Sequence, residues 1–183
     1  MAKALVPLAN GFEDIEAVTI VDVLRRGGVE VVTASLRSSR DVMSAHGIRM
    51  DADALLTDVI DDEYEAIVLP GGGEGTENLR NCDALVRRIV RQRADKRLLC
   101  AICAAPTVLQ DAGVLEPSQH VTCYPTCQME VECNWVNEPV VEHDGIITGQ
   151  APGSAMIFSL VVLAALAGDS TAKKVSRGMV FDS

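Results

Sequence analysis

Cys103 follows the short apolar run Leu98-Leu99-Cys100-Ala101-Ile102 and precedes Ala104-Ala105-Pro106-Thr107-Val108-Leu109. A continuous apolar stretch of that length reads as a strand buried on both faces of a parallel sheet. The next residues read as a helix start, with Pro106 in its first turn. Cys103 therefore falls on a strand-to-helix turn, at the carboxyl end of a strand, where open α/β sheets keep their sites. A thiol there meets the first N–H groups of a helix, which favour thiolate over thiol. The arrangement parallels the nucleophile elbow of hydrolases, with cysteine in place of serine. A buried core cysteine is the competing reading, and local sequence leaves both open.

Two further strand ends point to the same rim: Gly11 to Glu16 after a first strand and Gly71 to Gly75 after a third. Glu13, Asp14 and Glu16 open a helix, where the dipole favours carboxylates whatever their role. If one of them faces the thiol it must be protonated, since two adjacent anions repel and raise the thiol pKa. A protonated carboxyl would donate to sulfur and serve as general acid or base. The glycine run lacks a Gly-Lys-Ser/Thr ending, and Asn78 stands where a dinucleotide fingerprint needs a glycine. Its expected use is either an ordinary tight turn or backbone N–H groups forming an oxyanion pocket beside Cys103.

Other clusters carry less. Cys100 and Cys103 are spaced as a redox pair, but in an extended strand their Cα atoms stand about 10 Å apart, too far for a disulfide. His120, Cys123, Cys127 and Cys133 lack the two tight pairs of a zinc site, so no metal is expected. The three histidines, His46, His120 and His143, do not follow Cys103, and none falls in an obvious rim loop. A Cys-His hydrolase thus lacks its base.

The elements that must position these residues alternate. Strands are expected over 4–8, 29–34, 66–69, 98–102, 121–124 and 146–148. Helices are expected over 13–26, 83–93, from 104 onward, 155–167 and 171–180. Residues 37 to 53 read as irregular, with Ile48 and Met50 in a short edge strand or hairpin. Residues 125 to 145 are the least regular, ending in a hairpin turn at Asp144-Gly145. Alternation of this kind predicts a parallel sheet with helices on both faces.

Composition agrees. The 183 residues suit one domain, 1–183, able to bury roughly 70% of its unfolded surface. Hydrophobic residues make up 48% and aromatics only 3%, so the core is aliphatic. A formal net charge of -10 opposes binding to nucleic acid or anionic membranes. The apolar stretch 155–167 is too short to span a bilayer. No leader is visible, and six cysteines beside a large core do not read as a disulfide framework, so a reduced, cytoplasmic protein is expected.

The segments Gly11-Phe12-Glu13-Asp14-Ile15-Glu16-Ala17-Val18, Val68-Leu69-Pro70-Gly71-Gly72, Ala101-Ile102-Cys103-Ala104-Ala105-Pro106 and Thr148-Gly149-Gln150-Ala151-Pro152-Gly153 occur in order along nearly the whole chain. Together they resemble the ThiJ/PfpI superfamily, in the branch of the parkinsonism-linked deglycase and bacterial ThiJ-type proteins. The resemblance implies a flavodoxin-like three-layer sandwich and a reactive, oxidisable Cys103. It implies that Glu16 is the protonated glutamate beside the thiol, and that Gly72 and Ala104 supply oxyanion amides. Pro152 would come from the second subunit of a homodimer.

The resemblance also implies cofactor-free handling of small dicarbonyls or glycated substrates, as a glutathione-independent glyoxalase or a protein or nucleotide deglycase in carbonyl and oxidative stress. The alternative it carries is a non-catalytic redox sensor or stress chaperone working through oxidation of Cys103. Ala104 stands where the protease branch usually has histidine, which disfavours a hydrolase or amidotransferase-like role. Tyr124 precedes Pro125 where the closer branch commonly has histidine, and tyrosine is a poor base near neutrality.

Overall fold

The computed structural model describes residues 1–181. Its main sheet is built from β1 (Lys3–Leu8), β2 (Glu30–Ser35), β5 (Ala54–Leu55), β6 (Ala66–Leu69), β7 (Leu98–Ile102), β10 (Val140–His143) and β11 (Ile146–Gly149), in the order β10-β11-β7-β6-β1-β2-β5. Every neighbouring pair is parallel except β10 with β11. That antiparallel edge turns at Asp144-Gly145, both at positive φ, as a two-residue hairpin requires.

Side-chain alternation divides the core between two faces. Val6, Leu8, Val68, Cys100 and Ile102 point to one face, against α1 (Asp14–Arg26), α6 (Ala155–Ala167) and α7 (Asp169–Gly178). Leu5, Ile67, Leu69, Leu99 and Ala101 point to the other, against α3 (Gly73–Arg80), α4 (Asp83–Ala94) and α5 (Pro106–Asp111). The result is the flavodoxin-like three-layer sandwich. Because α6 lies between α1 and α7, it is apolar on nearly every side. No described helix is long and apolar enough to cross a membrane.

Several expectations need correction. The glycine run expected as a turn opens helix α3: Gly73 and Gly75 weaken helix propensity, yet Leu79 and Thr76 anchor this helix by burial. The helix after Cys103 begins at Pro106 rather than Ala104, and it lasts six residues. The expected strand 121–124 shrinks to β8 (His120–Val121), which pairs with β9 (Asn134–Trp135) outside the main sheet. Residues 37–53 do contain a hairpin, β3 (Asp41–Met43) with β4 (Arg49–Asp51). A four-residue helix, α2 (Leu56–Val59), follows β5.

Candidate active site at the Cys103 elbow

The topology reverses between β1 and β6, and the carboxyl ends of β1, β6 and β7 meet there. Cys103, just past β7, has φ of +64°, a region that residues with a side chain rarely adopt and that costs about 1–3 kcal/mol. Bonds on both sides hold it there. Its N–H donates to the Gly149 carbonyl at 2.9 Å, and its carbonyl accepts the Tyr124 N–H at 2.7 Å. The backbone amides of Gly72 and Ala104 lie close enough to the sulfur to favour its ionised form.

Glu16 is fully buried in the first turn of α1. Its Oε2 accepts the Gly71 N–H at 2.8 Å, while Oε1 has no hydrogen-bond partner of normal geometry. The Cys103 thiol is close enough to shift the carboxyl's titration. Glu13 supports this arrangement twice: its carboxylate accepts the Glu16 N–H at 2.8 Å, and its own N–H donates to the Gly71 carbonyl at 3.0 Å. The Gly71 peptide is thus pinned at both ends by the start of α1. Gly72, at φ of +94°, turns the chain so tightly that a Cβ would stand 2.2 Å from the Gly11 carbonyl oxygen.

Burial, aided by the Glu13 charge and opposed by the Gly71 N–H, pushes the Glu16 pKa up to about 7. Burial and then the Glu16 charge push the Cys103 thiol up to about 12, against the Gly72 and Ala104 amides. This corrects the expected thiolate. Helix α5 is short, and the two amides at sulfur do not outweigh loss of water and a neighbouring anion. When Glu16 is protonated its charge no longer opposes ionisation of sulfur, so the two acids titrate as a pair.

Tyr124 is 42% exposed and touches the elbow through its backbone. Pro152 opens a single 3₁₀ turn, Pro152–Ser154, that leads from β11 into α6. One histidine reaches the start of α1, from the β3–β4 hairpin rather than from a rim loop. The β3–β4 hairpin folds over the start of α1, where His46 Nδ1 lies 2.6 Å from Asp14 Oδ2 and the Ser44 hydroxyl donates to Asp14. Nothing local in the sequence links His46 to Asp14, because the contact spans 32 residues.

Glu13, Asp14 and His46 are, among the described residues, the one group offering three metal-ligand atoms within 4.8 Å. Each carboxylate is already engaged, Glu13 by the Glu16 amide and Asp14 by Ser44 and His46. The four-residue cluster at 120–133 does not form a metal site: His120 stacks on His143, with ring centroids 5.3 Å apart, and Cys123 is buried in the core. All six cysteines are free.

A mostly parallel sheet with a cysteine elbow at its reversal point, flanked by a buried glutamate and two amides, defines a flavodoxin-like cysteine-elbow protein. The chain belongs to the DJ-1/PfpI family, whose model matches residues 2–165. It is 41% identical over 180 residues to Protein DJ-1 homolog B of Arabidopsis thaliana, covering 97% of this chain and 41% of that one. The chain thus spans about two fifths of that relative's length. It is 35% identical over 159 residues to the glutathione-independent glyoxalase DJR-1.2 of Caenorhabditis elegans, covering 85% and 83% of the two chains. The structure of oxidised Toxoplasma gondii DJ-1 superposes with a TM-score of 0.96 at 34% identity, covering all of both chains.

Proposed function

We propose that this protein is a cofactor-free, cysteine-dependent enzyme acting on reactive dicarbonyls or their glycated adducts. The observation that carries the reading is the pairing of a thiol at a positive-φ elbow with a buried carboxyl whose pKa is pushed to about 7. A relative named as a glutathione-independent glyoxalase supports the substrate class.

In this reaction the Cys103 sulfur attacks the aldehyde carbon of methylglyoxal, and the resulting alkoxide takes a proton to give a hemithioacetal. The amides of Gly72 and Ala104 hold the developing oxyanion. Glu16 then takes the proton from the former aldehyde carbon and returns it to the adjacent carbon, while the hydroxyl proton passes to the ketone oxygen, leaving a thioester. Water cleaves the carbon–sulfur bond, giving lactate and the free thiol. With a carbinolamine adduct, the carbon–nitrogen bond breaks first, releasing the amine with a proton and regenerating the aldehyde carbonyl that sulfur then attacks. Tyr124, half exposed beside the elbow, lines the substrate's approach but supplies no base.

A homodimer completes the entrance. Ile15 and Val18 stand one turn apart on the outer face of α1, 57% and 50% exposed. Ile48, at 56%, belongs to the hairpin held at the first turn of α1, its N–H donating to the Ser44 hydroxyl, which donates to Asp14. A second copy covers this apolar patch, and its Pro152 reaches the site. Six free thiols fit a reducing, cytoplasmic setting.

The second reading is oxidation sensing, in which the Gly72 and Ala104 amides hold sulfinic oxygens. The oxidised state of the Toxoplasma gondii relative favours it. Both readings draw on the same ionised sulfur, with the proton held by Glu16. Carbon-13 NMR of methylglyoxal turnover in heavy water tests the catalytic reading. Wild type is expected to form a 2-hydroxy acid and Glu16→Gln none; equal product from both overturns the role of Glu16.

A further inference from the structure

Helix α4 carries Ala84, Arg87, Arg88 and Arg91 at the i, i+3, i+4 and i+7 positions of one stripe. With Ile60 and Asp61 they line a cavity of about 260 Å³. It opens beside the segment that leads into β6, at the amino end of the strands, whereas Cys103 lies at their carboxyl end. Its size falls below the roughly 300–1,000 Å³ of drug-sized pockets, which restricts it to a small ligand.

Three guanidiniums in one stripe repel one another, a cost that an isolated helix would avoid. Among the described residues, Arg87 and Arg88 form no ion pair, and Arg91 has only a long one, 3.7 Å to Asp95. Two nearby acids are already taken, Asp62 by Lys3 at 3.0 Å and Glu63 by Arg97 at 2.9 Å, which leaves Asp61 as the one carboxylate in the cavity lining.

Arg88 is only 6% exposed. Its guanidinium carbon lies 5.9 Å from the Tyr64 ring centroid, and Nη2 donates to the Asp62 carbonyl at 3.2 Å. Nε and Nη1 are buried with no acceptor. A ring at that distance offers the cation its π face but accepts neither of these two N–H donors. Burial, followed by the charges of Arg91 and Arg97, depresses the Arg88 pKa, the signature of a cation short of anions. Buried donors without acceptors are rare and call for an explanation.

The geometry points to a binding site for a small dianion of the phosphate class, held by Arg87, Arg88 and Arg91. A guanidinium edge matches two oxygens of a phosphate, and three such groups face one carboxylate, Asp61, in the lining. Phosphate oxygens would pair with the exposed Arg87 and Arg91 and bring counter-charge to the buried Arg88 guanidinium, relieving the repulsion along α4. Inorganic phosphate and a phosphomonoester share this chemistry.

The test is calorimetric titration with inorganic phosphate and, separately, glycerol 2-phosphate, at constant ionic strength set with chloride. Amide chemical shifts are followed in parallel. Saturable binding of either probe is expected, with shifts confined to residues 60–65 and α4; the tighter probe identifies the source. The double variant Arg87→Gln/Arg91→Gln changes two exposed side chains and keeps the fold. It is expected to weaken binding roughly tenfold or more. Dicarbonyl turnover at Cys103 is expected to stay unchanged in that variant. Absence of saturable binding by both probes overturns the site, as does equal affinity in the double variant.

Discussion

Gly71 donates its amide to Glu16 Oε2 at 2.8 Å and occupies the gap between that carboxyl and the Cys103 side chain. A Cβ on Gly71 would stand 2.8 Å from Cys103 Cβ, from Glu16 Oε2 and from the Ile102 carbonyl oxygen. The thiol and the carboxyl can share a proton only because this residue has no side chain. Gly71→Ala is therefore expected to push the two groups apart and to cost about 1–3 kcal/mol in stability. Displacement on the order of 1 Å lowers turnover by roughly 10²-fold. Urea midpoints and steady-state kinetics on the folded variant check both.

The same carboxyl makes stability depend on pH. The folded pKa of Glu16, about 7, lies above its ordinary value of 4.5, so folding favours the protonated form. Its stabilising contribution is complete below about pH 4.5 and is lost as pH rises through 7. The difference is roughly 3 kcal/mol across that window. Glu16→Gln removes the dependence, so this variant is expected to be the more stable protein at pH 8.5 and to show a flatter profile. Denaturation at pH 5, 7 and 8.5 reads the effect directly.

Under the proposed function, turnover is expected to follow the pair rather than either acid alone. The reactive state has lost one proton from the carboxyl–thiol pair and places the remaining proton on Glu16. The profile of kcat/KM is expected to rise with pH through an apparent pKa near 7, set by the buried carboxyl. A profile that rises only at the ordinary thiol pKa would assign the proton elsewhere.

The exposed pair Ile15 and Val18 gives the dimer a simple test. Val18→Asp places a charge in the middle of the patch without touching the core. Light scattering is expected to report a dimer for wild type and a monomer for the variant. A monomeric wild type would remove Pro152 from the site.

The legibility of this molecule in its sequence differs from residue to residue. The Cys103 elbow is readable because a five-residue apolar strand runs into small residues and a proline, a purely local pattern. The sandwich is readable for the same reason, repeated along the chain. Among the three acids of the first turn, local sequence left the choice open. In the structure Glu13 caps the helix, Asp14 holds the hairpin and Glu16 turns inward. Helix α3 was hidden because glycines that allow close packing also erase helix propensity. The thiol's raised pKa was misread because burial is a tertiary quantity, which no helix start reveals. His46 was missed because a hairpin brings it to Asp14 from far along the chain.

The central claim is that the Cys103–Glu16 pair turns over dicarbonyls, and lactate formation from methylglyoxal without glutathione tests it most directly. Wild type and Cys103→Ser are assayed in parallel, with circular dichroism confirming that both are folded. Cysteine-dependent lactate production is the predicted result, and it would also show that Tyr124 does not block proton transfer. Equal rates in the two proteins, or no product from either, would contradict the account.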